Sequence, residues 1–170
     1  ESIALLIGRI RQTMAGRTTA WEIVVVDDAS DDDTRAVLSD LKKTEPNLRV
    51  FRHQRNCGQS TALYNGIRAA RFDTVVTLDG DGQNDPADIP ALVERLRAQP
   101  NDEPPLQLIM GHRAKRQDSW LRKFSSRVAN GVRSRLLHDA TPDSGCGLKL
   151  FSRQAFLELP YFDHMHRFLP

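Results

Sequence analysis

A short run of branched apolar residues, Val75-Val76-Thr77-Leu78, stops abruptly in two carboxylates one residue apart, Asp79 and Asp81, and continues as Gly82-Gln83-Asn84-Asp85-Pro86. A continuous apolar run of this length suits a strand buried on both faces, and such strands belong to sheets covered by helices on each side. In open α/β sheets, ligands bind beyond the carboxyl ends of the strands. Paired oxygen donors at that edge suit a hard divalent cation carrying a diphosphate. One segment thus constrains both fold class and chemistry.

Asp and Gly are also ordinary turn residues, so the alternatives need testing. An EF-hand loop starting at Asp79 would need Gly at its sixth position and Glu at its twelfth, where the chain has Asn84 and Pro90. A phosphatase of the haloacid dehalogenase type also sets Asp-x-Asp-Gly after an apolar strand, with the first Asp as nucleophile. It requires a later Lys, for which Lys149 would serve, and a further acidic pair, which the sequence does not supply. It also leaves unexplained a second acidic strand end upstream. A non-catalytic nucleotide- or lipid-binding module is the other alternative.

That second strand end is Glu22 to Asp27, which runs into Asp27-Asp28-Ala29-Ser30-Asp31-Asp32-Asp33-Thr34. Apolar spacing at Ile3, Leu6, Ile7 and Ile10 predicts a helix before it. Helices are expected across 35–43, 58–70 and 86–98, the last with Pro near its start, and strands across 48–53, 74–79, 106–111 and 148–151. This alternation predicts an α/β fold with a mostly parallel sheet flanked by helices. The opening strand of such a fold normally lies mid-sheet and carries the first ligand-binding turn. This chain begins with a helix instead, so the sheet is expected to lack its first strand. Residues 1–170 read as a single catalytic-domain fragment, and a start at Glu1 and an end at Leu169-Pro170 read as part of a longer protein.

The composition, 39% hydrophobic and 27% charged, is that of an ordinary globular domain. The formal charge of +2 hides an uneven distribution, since residues 112–135 hold eight Lys or Arg against the single acid Asp118. A local basic block points to phosphates or an anionic lipid surface, whereas a binder of long nucleic acid is basic throughout. Within it, Leu121, Phe124, Val128, Val132 and Leu136 predict an amphipathic helix across 119–137. Cys57 and Cys146 are too few for a disulfide framework and lack metal-site spacing, so both read as small loop residues in a reduced setting. None of the five histidines has metal-ligand spacing, and no apolar run approaches 18 residues.

VVVDDAS (Val24 to Ser30), Arg55-Asn56-x-Gly58, LDGDGQNDP (Leu78 to Pro86), Gly111-His112-Arg113 and SGCGLKLF (Ser144 to Phe151) together form a pattern far more specific than any one of them. It resembles the family-2 glycosyltransferases of the GT-A fold, and within them the polyprenyl-phosphate glycosyltransferases of the dolichol-phosphate mannose synthase type. The resemblance spans Glu22 to Phe151.

It implies transfer of a sugar from a nucleotide-diphospho-sugar, UDP- or GDP-linked, to a polyprenyl phosphate at the cytoplasmic face of the cell membrane. Asp27 and Asp28 map onto the acid pair that holds the nucleoside, with Asp28 favoured for the base. Asp79, Asp81 and Gln83 map onto the residues that ligate Mg²⁺ or Mn²⁺, with Asp79 near the ribose and Asp81 on the metal. Arg113 maps onto a phosphate clamp, and Ser144 and Gly145 onto the substrate-facing Gly-rich loop. A lipid-phosphate acceptor is already ionised near neutral pH and needs no general base. A saccharide hydroxyl would need one, and Asp143 is then the candidate. One departure stands out: family members usually begin with a strand ending in Pro-x-x-Asn-Glu, of which only Glu1 could remain.

Overall fold

The computed structural model describes residues 2–17, 20–82, 84–100, 106–111 and 146–165. The chain opens with α1 (Ser2–Met14), then alternates β1 (Ile23–Asp27), α2 (Thr34–Thr44), β2 (Leu48–Arg52), α3 (Gln59–Ala69) and β3 (Thr74–Thr77). A 3-10 turn (Pro86–Asp88) leads into α4 (Ile89–Arg97), followed by β4 (Leu108–Met110), β5 (Lys149–Ser152) and α5 (Arg153–Glu158). The turn at Pro86 has a local cause: Asp85 accepts from the Ala87 amide, and Pro86 sits where no donor is needed. Ser152 caps α5 in the same way through the Ala155 amide. The expected amphipathic helix across 119–137 and the basic block lie outside the described residues.

β1 and β2 pair in parallel, Ile23 opposite Leu48 through Asp27 opposite Arg52. β5 runs antiparallel between β3 and β4. The sheet is therefore less uniformly parallel than the alternation predicted.

Burial explains the unbroken apolar strands. Leu148 and Leu150 pack with Ile89, Leu92 and Cys146, while Phe151 packs with Ile67, Phe156 and Met165. Successive residues of β5 thus feed two cores, one on each face, as the period of two requires. A third cluster joins Ile7, Leu38 and Leu48 from α1, α2 and β2. Leu38 is 1% exposed. Leu38→Ala is expected to cost about 2–4 kcal/mol in urea unfolding, the scale of a partly collapsing core void.

Among the described residues the hydrogen-bonded sheet is in two pieces, β1–β2 and β4–β5–β3. A cavity of about 1190 Å³ is lined by Val24 to Val26 on one side and Val75 to Thr77 on the other, with Ile7 and Ile67 among its apolar walls. It lies between β1 and β3, which do not pair with each other among the described residues. It also reaches Gln59, Asp79 and Gly147, so its end opens on the acidic edge.

Candidate functional site

β1 delivers Asp27 and Asp28 to the sheet edge, and the two side chains do different things there. The Asp27 carboxylate is 1% exposed, pairs with Arg52 and accepts from the Ser30 amide at 2.9 Å. Arg52 also donates to the Ser30 carbonyl, so the acid and the guanidinium together close the turn after β1. Asp27 stands behind the edge as a turn-former, which sequence adjacency to Asp28 did not reveal. Burial pushes its pKa up, but hydrogen bonds from Ser30 and Arg52 outweigh it and hold the carboxyl below the ordinary aspartate value of 3.8. The sign follows: with the folded pKa lowered, the unfolded chain binds more protons between the two values, so this stabilisation is present above 3.8 and is lost as pH falls through the folded value. Acid titration of Asp27→Asn is expected to show a flatter loss of stability below that pH than the parent.

Asp28 is the more open of the two. Its Oδ1 accepts from His53 Nδ1 at 2.6 Å and from the Cys57 amide at 2.8 Å, and its Oδ2 accepts from the Gly58 amide at 2.8 Å. Burial pushes this pKa up too, and the bonds from His53, Cys57 and Gly58 outweigh it, leaving the carboxyl below its usual range and ionised at neutral pH. Gly58 has φ +86°, a conformation that favours glycine, and it starts α3 with its N–H turned toward Asp28. Asp28, His53 and Cys57 offer metal-ligand atoms within 4.8 Å of one another. The 2.6 Å approach of His53 to Asp28 is that of a shared proton, shorter than the roughly 3.3 Å between two ligands of one tetrahedral ion.

α3 connects the two acidic turns. While the Gly58 amide binds Asp28, the next residue, Gln59, donates from Nε2 to Asp79 Oδ1 at 3.2 Å. The helix also directs the positive end of its dipole toward these carboxylates. β3 ends at Thr77, two residues earlier than the sequence pattern predicted, so Asp79 and Asp81 both lie in the turn beyond it. Asp79 is half-buried and Asp81 exposed. Gln83 lies outside the described residues.

The Gly-rich segment meets the same turn. A Cβ at Gly147 would overlap the Asp79 carboxylate, and it would also lie 2.9 Å from Asn84 Nδ2. Thr77 Oγ1 donates to the Gly147 carbonyl at 2.9 Å, locking the two segments together. Cys146 is buried, with its thiol 3.5 Å from Asn84 Oδ1, which accords with a packing role. Gly111 in turn donates its amide to the Leu148 carbonyl at 2.9 Å, and a Cβ there would press on Leu148 at 3.1 Å. The start of the Gly111-His112-Arg113 motif is therefore anchored beside the Gly-rich segment, while Arg113, Asp143, Ser144 and Gly145 lie outside the described residues.

Asp28, Gly58, Asp79 and Gly147 thus bring four of the five sequence motifs together, and Gly111 joins the start of the fifth to Leu148 of the Gly-rich segment. Sequence reasoning missed Gln59, His53, Arg52 and Asn65. Gln59 had a usable signal, its position directly after the Gly58 turn and opening a helix. Chemically, the arrangement offers an ionised, half-open carboxylate at one turn and two hard oxygen donors at the other, on either side of a helix N-terminus.

The family described as Glycosyl transferase family 2 matches residues 3–159. A dodecaprenyl-phosphate galacturonate synthase from Rhizobium johnstonii is 35% identical over 175 residues, covering 100% of this chain and 49% of its own length. An undecaprenyl-phosphate 4-deoxy-4-formamido-L-arabinose transferase from Sodalis glossinidius is 35% identical over 171 residues, covering 100% of this chain and 51% of its own. The chain spans about half the length of the curated relatives it matches. In fold, it superposes on the mannosyltransferase PcManGT from Pyrobaculum calidifontis, in complex with GDP-Man and Mn2+, with a TM-score of 0.60 at 21% identity, over 90% of this chain and 41% of that one. A mycobacterial protein gives a TM-score of 0.65 at 20% identity, over 91% and 50%. The fold is the GT-A fold, and with the family match running from α1 to the residue after α5, through every described motif of the acidic edge, the chain belongs to glycosyl transferase family 2.

Proposed function

We propose that the full-length protein transfers a sugar from a nucleoside-diphosphate sugar to a polyprenyl phosphate, with residues 1–170 forming a part of its catalytic domain. The observation that supports this most directly is the pair of consecutive residues at the start of α3, Gly58 on Asp28 and Gln59 on Asp79, because it sets the two acidic turns side by side. A nucleoside held at Asp28 would extend its diphosphate toward Asp79 and Asp81. The names of the relatives supply the acceptor class, since both carry a polyprenyl phosphate.

The residues fit a divalent cation: Asp79 and Asp81 give hard oxygen donors at a strand end, and Gly147 leaves the room that Asp79 occupies. Asp79, Asp81 and Gln83 would hold Mg²⁺ or Mn²⁺. Such an ion, when bound, neutralises charge on the diphosphate leaving group. The chain's own groups do the rest. Asp28 accepts a base N–H, Gln59 steadies the Asp79 carboxylate, and Arg113, Ser144 and Gly145, outside the described residues, would supply a phosphate clamp and a substrate-facing loop. An ionised lipid phosphate attacks without a protein base, so orientation is the main task.

The test is incubation of full-length protein with a UDP- or GDP-linked sugar, undecaprenyl phosphate and Mg²⁺ or Mn²⁺, reading lipid-linked sugar. Asp28→Ala is expected to raise the donor Kd about tenfold to a hundredfold, the scale of a lost hydrogen bond to a charged group. Unchanged affinity by calorimetry would remove Asp28 from the donor site.

The acceptor resides in a membrane, and the basic block bears on how the catalytic edge reaches it. No helix among the described residues is long and apolar enough to cross a membrane. Eight Lys or Arg in residues 112–135 fit the anionic, cytoplasmic face, at about 1 kcal/mol per basic group near such a surface. Reversing Arg122, Lys123 and Arg127 is expected to weaken flotation with anionic vesicles, as high salt should. Binding indifferent to both would leave the block an ordinary solvated face.

A further inference from the structure

A carboxylate has about four lone-pair sites, and at Asp28 described residues occupy three: His53 and the Cys57 amide on Oδ1, and the Gly58 amide on Oδ2. Two of these donors are backbone amides of the loop before α3 and cannot be withdrawn without unmaking it. The third is a side chain with its own restraint. His53 Nε2 lies 2.9 Å from Asn65 Nδ2 on α3, so an imidazole that donates from Nδ1 to Asp28 accepts at Nε2 from the Asn65 amide. His53 is thereby held from both ends, and its backbone N–H extends the strand ladder by donating to the Asp27 carbonyl at 2.9 Å. His53 and Asp28 are 14% and 19% exposed in their side chains, so solvent competes little for this contact.

We propose that His53 is a positioning residue that closes Oδ1 of Asp28, leaves one acceptor site on Oδ2 that no described residue fills, and so makes Asp28 a reader of base edges with one N–H. This rests on the donor-site reading above. Uracil presents one ring N–H between two carbonyls, whereas guanine presents a ring N–H and an exocyclic amino group side by side. A carboxylate meets guanine's pair with both oxygens, and Oδ1 is here already filled. The second guanine donor would lose its water without gaining a partner, and an unmet buried donor weighs more than a met one gains. The geometry therefore favours a uridine over a guanosine diphosphate. Asn65 fixes the ring that imposes the choice.

The experiment is calorimetry of UDP and GDP on full-length protein, parent and variants, with thermal melting as the control for folding. The parent is expected to bind UDP about tenfold or more tighter than GDP, the scale of one hydrogen bond to a charged group. His53→Ala frees the second acceptor on Oδ1 and is expected to narrow that ratio severalfold. His53→Asn, whose amide nitrogen can stand near the Nδ1 position, is expected to restore it, which a merely structural role would not predict. A parent that prefers GDP, or a ratio unmoved by His53→Ala in a folded protein, overturns the proposal while leaving the donor site intact. Absence of binding by either diphosphate overturns the donor-site reading itself. If His53→Ala does not fold, Asn65→Leu, which releases the ring from its far end, is expected to narrow the ratio in the same direction, and an unchanged ratio there counts against the proposal.

Discussion

Asp81→Ala in the full-length protein is expected to lower sugar transfer by roughly 10³-fold or more while leaving the melting temperature nearly unchanged. The two halves of this expectation have separate causes. Asp81 is exposed in the turn beyond β3, so the side chain adds little to packing. As a proposed metal ligand it helps hold a charge that supplies several kcal/mol to the departure of the diphosphate, and each 1.36 kcal/mol is a factor of ten. Transfer should be followed with saturating Mg²⁺ and then Mn²⁺, because a weakened site is partly refilled at high metal concentration. Near-parent turnover with either ion would end the metal assignment at Asp81.

The second large effect is expected from Gly147→Ala, a change of one methyl group. The added Cβ would occupy space held by the Asp79 carboxylate and crowd Asn84, while Thr77 fixes the Gly147 carbonyl and prevents the loop from stepping back. Asp79 must then move, losing its contact with Gln59. Displacement of a positioning group by about 1 Å costs on the order of 10²-fold in rate. Overpacking should also destabilise the fold by about 1–3 kcal/mol. Gly8→Ala in α1 is the matched control, since a Cβ there meets nothing within 4 Å. A Gly147→Ala enzyme with parent kinetics would show that Asp79 is not held by this approach.

The acidic strand ends were legible in the sequence because their signal is local. An apolar run that stops in carboxylates announces a buried strand and its ligand edge without reference to any other part of the chain. The same holds for β1, α2, β2, α3 and β3, whose boundaries lie within two residues of those read from periodicity and turn residues. The largest difference among these five is at the C-terminus of β3, which ends at Thr77, with Asp79 and Asp81 in the turn beyond it. The direction of β5 was not legible. A four-residue strand has the same period in a parallel and an antiparallel ladder, and only its partners on either side decide.

Within the site, residue types and spacing alone determined which carboxylates reach the edge, that hard oxygen donors gather after β3, and that a glycine-rich segment accompanies them. What each carboxylate is free to do was decided by tertiary structure. Asp27 and Asp28 are neighbours with the same chemistry, yet Arg52 on the adjacent parallel strand closes over the first while His53, one residue further, braces the second. Strand pairing in register, Asp27 opposite Arg52, makes that division. A hydrogen bond depends on direction and on distances of a few tenths of an ångström, and residues 25 apart in sequence acquire those only when the sheet forms.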